Sequence, residues 1–172
     1  MAFQIARGFP KLTVFEHLML YGQQQPGERF CQALMGSAAA RAREDELAER
    51  AWMIARQLKL DHLIDNRVTA LSGGQKKLLE IGRALMARPR MILFDEPAAG
   101  VNPTLAEAIG NHLQAIVREG VTVLIIEHDM ALIGRISEHV IVMALGQTLA
   151  EGSFDEVRND QTVQDAYFGV RR

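Results

Sequence analysis

The chain has 172 residues, of which 48% are hydrophobic and 23% charged, a composition typical of a globular protein rather than a disordered one. Its 19 lysines and arginines against 21 aspartates and glutamates leave a net charge of −2, without the basic excess of a domain that grips nucleic acid through phosphates. One cysteine excludes an intramolecular disulfide, and no apolar run is long enough to span a bilayer. We therefore expect a cytosolic protein that reaches a membrane only through partners.

The N-terminal part of the chain predicts a mainly helical region. Residues 36–40 form a small-residue stretch, expected to be a loop or a helix entry. Across residues 41–60, apolar side chains recur at spacings of three and four, which predicts an amphipathic helix with a buried face at Leu47, Ala51, Ile54 and Leu58. Trp52 and Met53 lie beside this stripe, and we expect them to make core or inter-helix contacts.

From residue 71 the pattern changes to that of an α/β unit. The predicted elements are a helix over 76–87, a strand over 91–94, a helix over 104–119 ended by Gly120, a strand over 121–126, a strand over 140–145, a turn at Gly146-Gln147 into 148–150, and a short helix begun by Ser153 with Glu156 at its capping-box position. Two apolar strands joined through a helix form a βαβ crossover, which predicts that they are parallel neighbours.

The segment Leu71-Ser72-Gly73-Gly74-Gln75 combines a helix cap with bare backbone. Ser72 and Gln75 have the spacing of a reciprocal capping box. Between them, Gly73 and Gly74 leave backbone N–H groups uncovered at a helix N-terminus, where donors and helix dipole favour a phosphate. A simple loop-to-helix turn with a good cap is the alternative interpretation.

Titratable residues follow both predicted parallel strands. Asp95 and Glu96 end the first, where one carboxylate can hold Mg²⁺ and the other can orient or deprotonate a water molecule. Glu127, His128 and Asp129 follow the second, and His128 is expected within reach of a terminal phosphate. Because parallel strands end at one edge of a sheet, we expect Asp95, Glu96 and His128 to converge there. Taken singly, the acids could form a solvated turn before Pro97, and the histidine could be structural.

The order and spacing of these three motifs resemble the ATP-binding subunit of ABC transporters. The resemblance implies an α/β fold, a truncated P-loop NTPase-like domain with a parallel sheet core plus a helical subdomain. It places the Q-loop and helical signalling subdomain at residues 1–70. Residues 71–172 then form the ATPase part, which contains the signature motif, Walker B, the D-loop, the H-loop and a C-terminal hairpin and helix.

The same resemblance assigns roles. Ser72, Gly73, Gly74 and Gln75 fall in the signature motif that contacts ATP, Asp95 is the acid near Mg²⁺, Glu96 is the catalytic glutamate and His128 the switch histidine. Gln4 matches the Q-loop glutamine, which in the family contacts Mg²⁺ and water. The implied partners are a second ATPase subunit, identical or not, and membrane permease subunits, with the protein peripheral on the inner face of the cell membrane and neither inserted in it nor bound to nucleic acid.

Three further stretches look like the branched-chain amino acid importers, whose close relatives import urea or other amides. They are Pro97–Pro103, Glu127-His128-Asp129-Met130 and Ala166-Tyr167-Phe168-Gly169. The first has Asn102 where many ABC proteins carry an aspartate. On this basis the full subunit is expected to hydrolyse ATP to power import of branched-chain amino acids or a related small solute.

A phosphate-binding loop needs Gly-x-x-x-x-Gly-Lys-Ser/Thr, and no glycine of this chain is followed by lysine. The chain therefore looks like the C-terminal part of a longer subunit, inactive alone. We expect it to keep an exposed strand edge and apolar face, which would favour self-association.

Two other functions stay open. A chromosome- or repair-type ABC ATPase would bind DNA, but such proteins separate their motifs with long coiled coils, and only 66 residues lie between Gln4 and Leu71. A non-catalytic interaction fragment is compatible with the missing loop, although the intact Glu96 and His128 favour catalytic ancestry.

The segment from Gln4 to about Leu20 is expected to dock on a permease together with the helical region up to Leu60. Apolar residues are dense there without strand alternation: Phe9, Leu12, Val14, Phe15, Leu18 and Leu20. The alternative is that all of them pack inside the small subdomain.

Overall fold

The structure is a computed structural model that describes residues 2–3, 9–23 and 38–168, with side chains from 9–23 and 38–166. The strands are β1 (Ala2–Phe3), β2 (Met91–Asp95), β3 (Thr122–Ile126), β4 (Val140–Ala144) and β5 (Gln147–Gly152). The helices are α1 (Val14–Leu20), α2 (Ala38–Gln57), α3 (Gly73–Met86), α4 (Pro103–Arg118), α5 (Met130–Ile136), α6 (Phe154–Asn159) and α7 (Gln161–Phe168), with short 3₁₀ turns at Asp61–Leu63 and Val68–Ala70.

The central sheet has the order β1-β2-β3, and both pairings are parallel. Ile92 and Phe94 of β2 are buried, and they lie opposite Val123 and Ile125 of β3. The predicted βαβ crossover through α4 is therefore confirmed. The two-residue strand β1 was not expected from the sequence, because two residues are too few to show a period.

The C-terminal hairpin is confirmed as the antiparallel pair β4–β5, with a register shift between Val142 and Met143. The capping box at Ser153 is confirmed too, since the Ser153 Oγ accepts from the Glu156 N–H and the Glu156 carboxylate accepts from the Ser153 N–H. The structure adds a second helix, α7, beyond the one short helix that the sequence predicts.

The hydrophobic core lies where α1 and α2 pack on α3 and continues beneath β2 and α4. The four residues predicted to form the buried stripe of the helix at 41–60 are all buried, namely Leu47, Ala51, Ile54 and Leu58. Trp52 and Met53, in contrast, are 39% and 58% exposed, so of the expected core or inter-helix contacts the core alternative is wrong. Their positions turn them to the other face of α2, where the Arg56 guanidinium lies 5.8 Å from the centroid of the Trp52 ring.

An exposed strand edge and apolar surface are present, as expected from the sequence. Within the described residues β3 pairs only with β2, and its Leu124 and Ile126 are 43% and 53% exposed. On the hairpin, Ile141, Met143 and Leu145 are also exposed. Unpaired strand edges and apolar patches of this kind favour association, so self-association of the chain stays a prediction.

His17 is buried in the small helical subdomain beside a buried arginine. It is 1% exposed, its Nδ1 lies 3.3 Å from the Thr13 carbonyl oxygen, and its Nε2 has no partner within the described part of the chain. Arg83 donates to the Tyr21 hydroxyl and its guanidinium lies 4.3 Å from the centroid of that ring. Burial lowers the pKa of His17, and the positive charge of Arg83 lowers it further. The hydrogen bond to Thr13 raises the pKa but does not outweigh burial.

We therefore expect the free energy of unfolding to fall as the pH falls through the ordinary histidine pKa of about 6.5. The unfolded chain binds a proton at His17 that the folded chain excludes, so acid favours unfolding. Urea denaturation between about pH 7.5 and 5.5 should show a shallower pH dependence in a His17→Leu variant. His112 has a pKa lowered by burial as well, so some dependence should remain. Parallel curves for parent and variant would exclude His17 as a source.

Candidate functional site

The ends of β2 and β3 bring the predicted acidic and histidine residues to one edge of the sheet. Asp95, the last residue of β2, is paired in register with Ile126, the last residue of β3. The Glu96 N–H donates to the Ile126 carbonyl oxygen at 2.9 Å, which continues the ladder by one residue. Glu96 and His128 therefore leave adjacent strands on the same side.

Glu96 and His128 are in contact. The His128 Nδ1 lies 3.3 Å from the Glu96 Oε1, and the two side chains are 71% and 51% exposed. Asp95 is exposed at the same edge. The predicted convergence of the three residues is thus confirmed. A solvent-facing carboxylate held against an imidazole can accept a proton from water, while the ring can donate to an anionic group nearby.

The backbone of Glu96 adopts an uncommon conformation that three hydrogen bonds hold. Its φ of +46° lies in the left-handed region, which few residues other than glycine adopt. Besides the bond from its N–H to Ile126, its carbonyl oxygen accepts from the Ala99 N–H at 3.1 Å and from the Lys77 Nζ at 3.3 Å. These bonds fix the direction in which the Glu96 side chain leaves the strand and so maintain its contact with His128.

The turn after Glu96 is fixed from the neighbouring strand and from the next helix. The Ala98 N–H donates to the Glu127 Oε1 at 2.8 Å, so the acid before His128 holds the turn. The Asn102 Oδ1 then accepts from the Leu105 N–H at 2.9 Å and caps α4. The asparagine that departs from the family pattern is thus an N-cap, a role that Asn fills as well as Asp.

The capping box at the start of α3 is confirmed. The Gln75 N–H donates to the Ser72 Oγ at 3.2 Å, and the Ser72 N–H donates to the Gln75 Oε1 at 2.8 Å. These bonds leave the Gly73 and Gly74 N–H groups without an acceptor among the described residues. At the N-terminus of this 14-residue helix, the N–H of the exposed Gly73 is suited to bind a phosphate, whereas Gly74 is buried.

The two glycines differ in what surrounds them. A Cβ added at Gly73 would meet nothing within 4 Å, so this position is open to a ligand. A Cβ added at Gly74 would lie 1.9 Å from the Leu105 Cδ2, because α4 packs against the first turn of α3 there. Gly73 is therefore accessible backbone, whereas Gly74 permits a close helix contact.

Lys77 is the positioning residue that sequence reasoning missed, whereas Glu127 was expected at this edge without a stated role. Lys77 joins the second turn of α3 to the carbonyl of Glu96, and Glu127 holds the following turn. No sequence pattern marks Lys77, because its contact depends on how α3 packs.

The N-cap role of Asn102, in contrast, had a signal in the sequence. An Asn-Pro pair before an amphipathic stretch is typical of a helix start. Gln4 lies outside the described residues, and Phe3, which precedes it in β1, is paired with Phe94 of β2.

The acids fit a nucleotide-bound Mg²⁺ better than a protein-made metal centre. No group of three or more histidine, cysteine, aspartate or glutamate side chains that could hold a metal occurs in residues 9–23 and 38–166. Mg²⁺ keeps several waters and commonly takes one or two carboxylates plus phosphate oxygens. The single exposed carboxylate of Asp95, beside the Glu96–His128 pair, fits that requirement.

None of the helices in the described ranges has the length and apolar character needed to cross a membrane.

Comparison with protein families and known structures gives consistent matches. Residues 1–99 match the family described as ABC transporter, and residues 147–172 match one described as branched-chain amino acid ATP-binding cassette transporter. The chain is 42% identical to the probable branched-chain amino acid transport ATP-binding protein LivG of Methanocaldococcus jannaschii, over 97% of this chain and 66% of that protein. It is 35% identical to the high-affinity branched-chain amino acid transport ATP-binding protein BraF of Pseudomonas aeruginosa, with coverages of 97% and 66%.

A solved structure of a nucleotide-free ATP-binding cassette from an ABC transporter superposes with a TM-score of 0.78 at 41% identity, covering 97% of this chain and 67% of that one. The chain thus spans about 66% of the length of the curated relatives that it matches.

Proposed function

Because the chain belongs to the ABC transporter family, we propose that it supplies part of the ATP-binding subunit of an importer for branched-chain amino acids or a related small solute. The observation that carries the proposal is the contact of Glu96 with His128 at the edge of the sheet, linked through Lys77 to the helix whose glycines have free N–H groups. The full-length relatives named above are branched-chain amino acid transport proteins, which supports the solute class.

The site residues divide the chemistry among them. Glu96 would accept the proton of the attacking water, and His128 would orient Glu96 and hydrogen-bond the terminal phosphate. Asp95, with Gln4, would hold Mg²⁺, which neutralises phosphate charge when it is bound. The signature residues Ser72–Gln75 would contact the terminal phosphate of an ATP held by a second subunit, with the Gly73 and Gly74 N–H groups as donors.

The proposed partners are a second ATPase subunit and membrane permease subunits, with the protein peripheral on the inner face of the cell membrane. The division into a helical part at 1–70 and an ATPase part at 71–172 is likewise a proposal. The α1 and α2 helices pack on α3, so a force applied to the helical part would reach the signature segment at the start of α3. A DNA-binding role gains no support, since the net charge is −2 and the relatives are transport proteins.

The docking surface that we propose for the permease lies on the helical part. Val14 and Leu18 are fully buried, but Phe9 and Leu20 are 64% and 46% exposed. The apolar segment expected from the sequence is therefore partly inside the subdomain and partly accessible. Exposed apolar side chains at such positions suit an amphipathic helix from a membrane subunit.

Uptake of labelled solute by proteoliposomes tests both proposals. The chain, completed with the phosphate-binding region of a relative, would be combined with the permease and binding protein. We expect ATP-dependent uptake of leucine, isoleucine or valine and little of urea. Phe9→Glu and Leu20→Glu should lower uptake by about tenfold with ATP hydrolysis nearly unchanged, because a charge there disfavours docking. Val117→Glu, at an exposed apolar position of α4, is the matched control.

Normal uptake by both charged variants would refute the docking surface. Uptake of urea in preference to all three amino acids would refute the proposed solute while leaving the ATPase role standing.

A further inference from the structure

A cavity of about 720 Å³ lies where α5 meets the C-terminal helices α6 and α7. Its volume falls within the range of about 300–1,000 Å³ that small-molecule sites usually have. The apolar part of its wall is formed by Met130, Phe154 and Val163, and the polar part by Arg135, Arg158 and Gln164. None of these residues belongs to the Glu96–His128 site, and the cavity has no part in the proposed function.

The apolar wall is held in place by packing. Phe154 begins α6 directly after the capped Ser153, and its ring lies against Gly134 so closely that a Cβ there would be 2.6 Å from the Phe154 Cε1. Val163 of α7 is almost completely buried. Packing therefore fixes Phe154 and Val163, two of the three apolar side chains of the wall.

The two arginines of the wall are in different situations. Arg135 is paired with Glu107, its Nη1 lying 3.0 Å from the Glu107 Oε1 and its Nη2 donating to the Glu107 carbonyl oxygen at 3.1 Å. The Arg158 guanidinium is exposed and has no acceptor among the described residues, and the Arg158 carbonyl oxygen accepts from the Gln164 Nε2 at 3.1 Å. The Arg158 guanidinium is thus a solvent-facing cation, available to a ligand beside the apolar wall.

No described aspartate or glutamate lines the cavity. A bound ammonium group would face the positive charges of Arg135 and Arg158 with no described lining carboxylate to offset them. Because like charges repel, the cavity favours an anion over a zwitterion that carries the same carboxylate. A carboxylate, in contrast, matches the planar donor pair of an arginine.

We propose that this cavity is a binding site for a small organic monoanion that has a carboxylate, a short apolar chain and no ammonium group. The carboxylate pairs with Arg158, Gln164 adds a polar contact, and the apolar chain packs on Met130, Phe154 and Val163. This site is independent of ATP and of the permease.

Isothermal titration of the 172-residue chain with 4-methyl-2-oxopentanoate and with L-leucine tests the proposal. The two probes share a carbon skeleton and differ in the oxo or ammonium group. We expect saturable one-to-one binding of the oxo acid below about 1 mM and binding of leucine at least about tenfold weaker. No saturable binding of the oxo acid, or equal affinity for leucine, would overturn the proposal.

Variants locate the site. Arg158→Gln should weaken oxo acid binding by about tenfold or more, whereas Arg118→Gln, the same charge change at an exposed position at the end of α4, should leave it unchanged. Ala131→Leu, on the exposed cavity side of α5, should also weaken it by filling space. Circular dichroism would verify that each variant is folded. Equal losses in the two arginine variants, or no loss in Arg158→Gln, would show that binding occurs elsewhere and contradict the assignment.

Discussion

Replacing Glu96 by glutamine should lower ATP turnover by at least about 100-fold in a subunit that has a phosphate-binding loop. The substitution keeps the size of the side chain and its ability to accept from His128 but removes the group that takes a proton from water. Its backbone bonds to Ile126, Ala99 and Lys77 do not involve the side chain, so the fold should persist. Steady-state phosphate release at saturating ATP would measure the effect.

Glu138→Gln is the matched control, because Glu138 is exposed between α5 and β4 and, within the described part of the chain, makes no hydrogen bond or ion pair with Glu96 or His128. It should retain turnover within a factor of about two. A Glu96→Gln variant that turns over ATP as fast as the control would remove Glu96 from the role of general base.

Alanine at Gly74 should lower the free energy of unfolding by about 1–3 kcal/mol, whereas alanine at Gly73 should leave it unchanged or slightly raised. The Cβ at position 74 would overlap Leu105 and force α3 and α4 apart, but position 73 has free space. Alanine otherwise favours a helix over glycine by about 0.5–1 kcal/mol, so an unstrained substitution is not destabilising. Urea denaturation would measure the free energy of unfolding of both variants, which carry the same substitution at adjacent positions.

The same pair of variants separates packing from ligand contact. In a completed dimer, Gly73→Ala should reduce turnover although it is stable, since its methyl group stands where a phosphate would approach the free N–H groups. Equal stability of the two variants would show that α4 does not pack on Gly74 as described, and normal turnover by Gly73→Ala would argue against a phosphate at this helix end.

The parallel strands and the hairpin could be predicted because their residues carry a local pattern. Apolar runs at 91–94 and 121–126, separated by an amphipathic helix, predict a βαβ unit from local sequence alone. Strand β1 has only two residues and acquires its identity from pairing with β2. Trp52 and Met53 were expected in the core because they are apolar, but the neighbouring stripe residues Ala51 and Ile54 already occupy the buried face of the helix.

The edge that carries the proposed catalytic residues could be predicted for the same reason, since residues that follow neighbouring parallel strands lie at the same edge of the sheet. Glu96 and His128 meet there as the pattern implies. The contact of Lys77 with Glu96 depends on the angle at which α3 crosses the strand end, and no local pattern encodes that angle. The phosphate-binding loop that would face these residues has no counterpart in the printed sequence.

We propose that this chain provides the catalytic edge and the signature helix of an ATPase but depends on a phosphate-binding loop for turnover. ATP hydrolysis would be measured for the 172-residue chain alone, for a fusion preceded by the phosphate-binding region of a relative, and for that fusion with Glu96→Gln. We expect background rates from the first and third and turnover from the second. Hydrolysis by the chain alone that disappears on replacing Glu96, or an inactive but folded fusion, would contradict the claim.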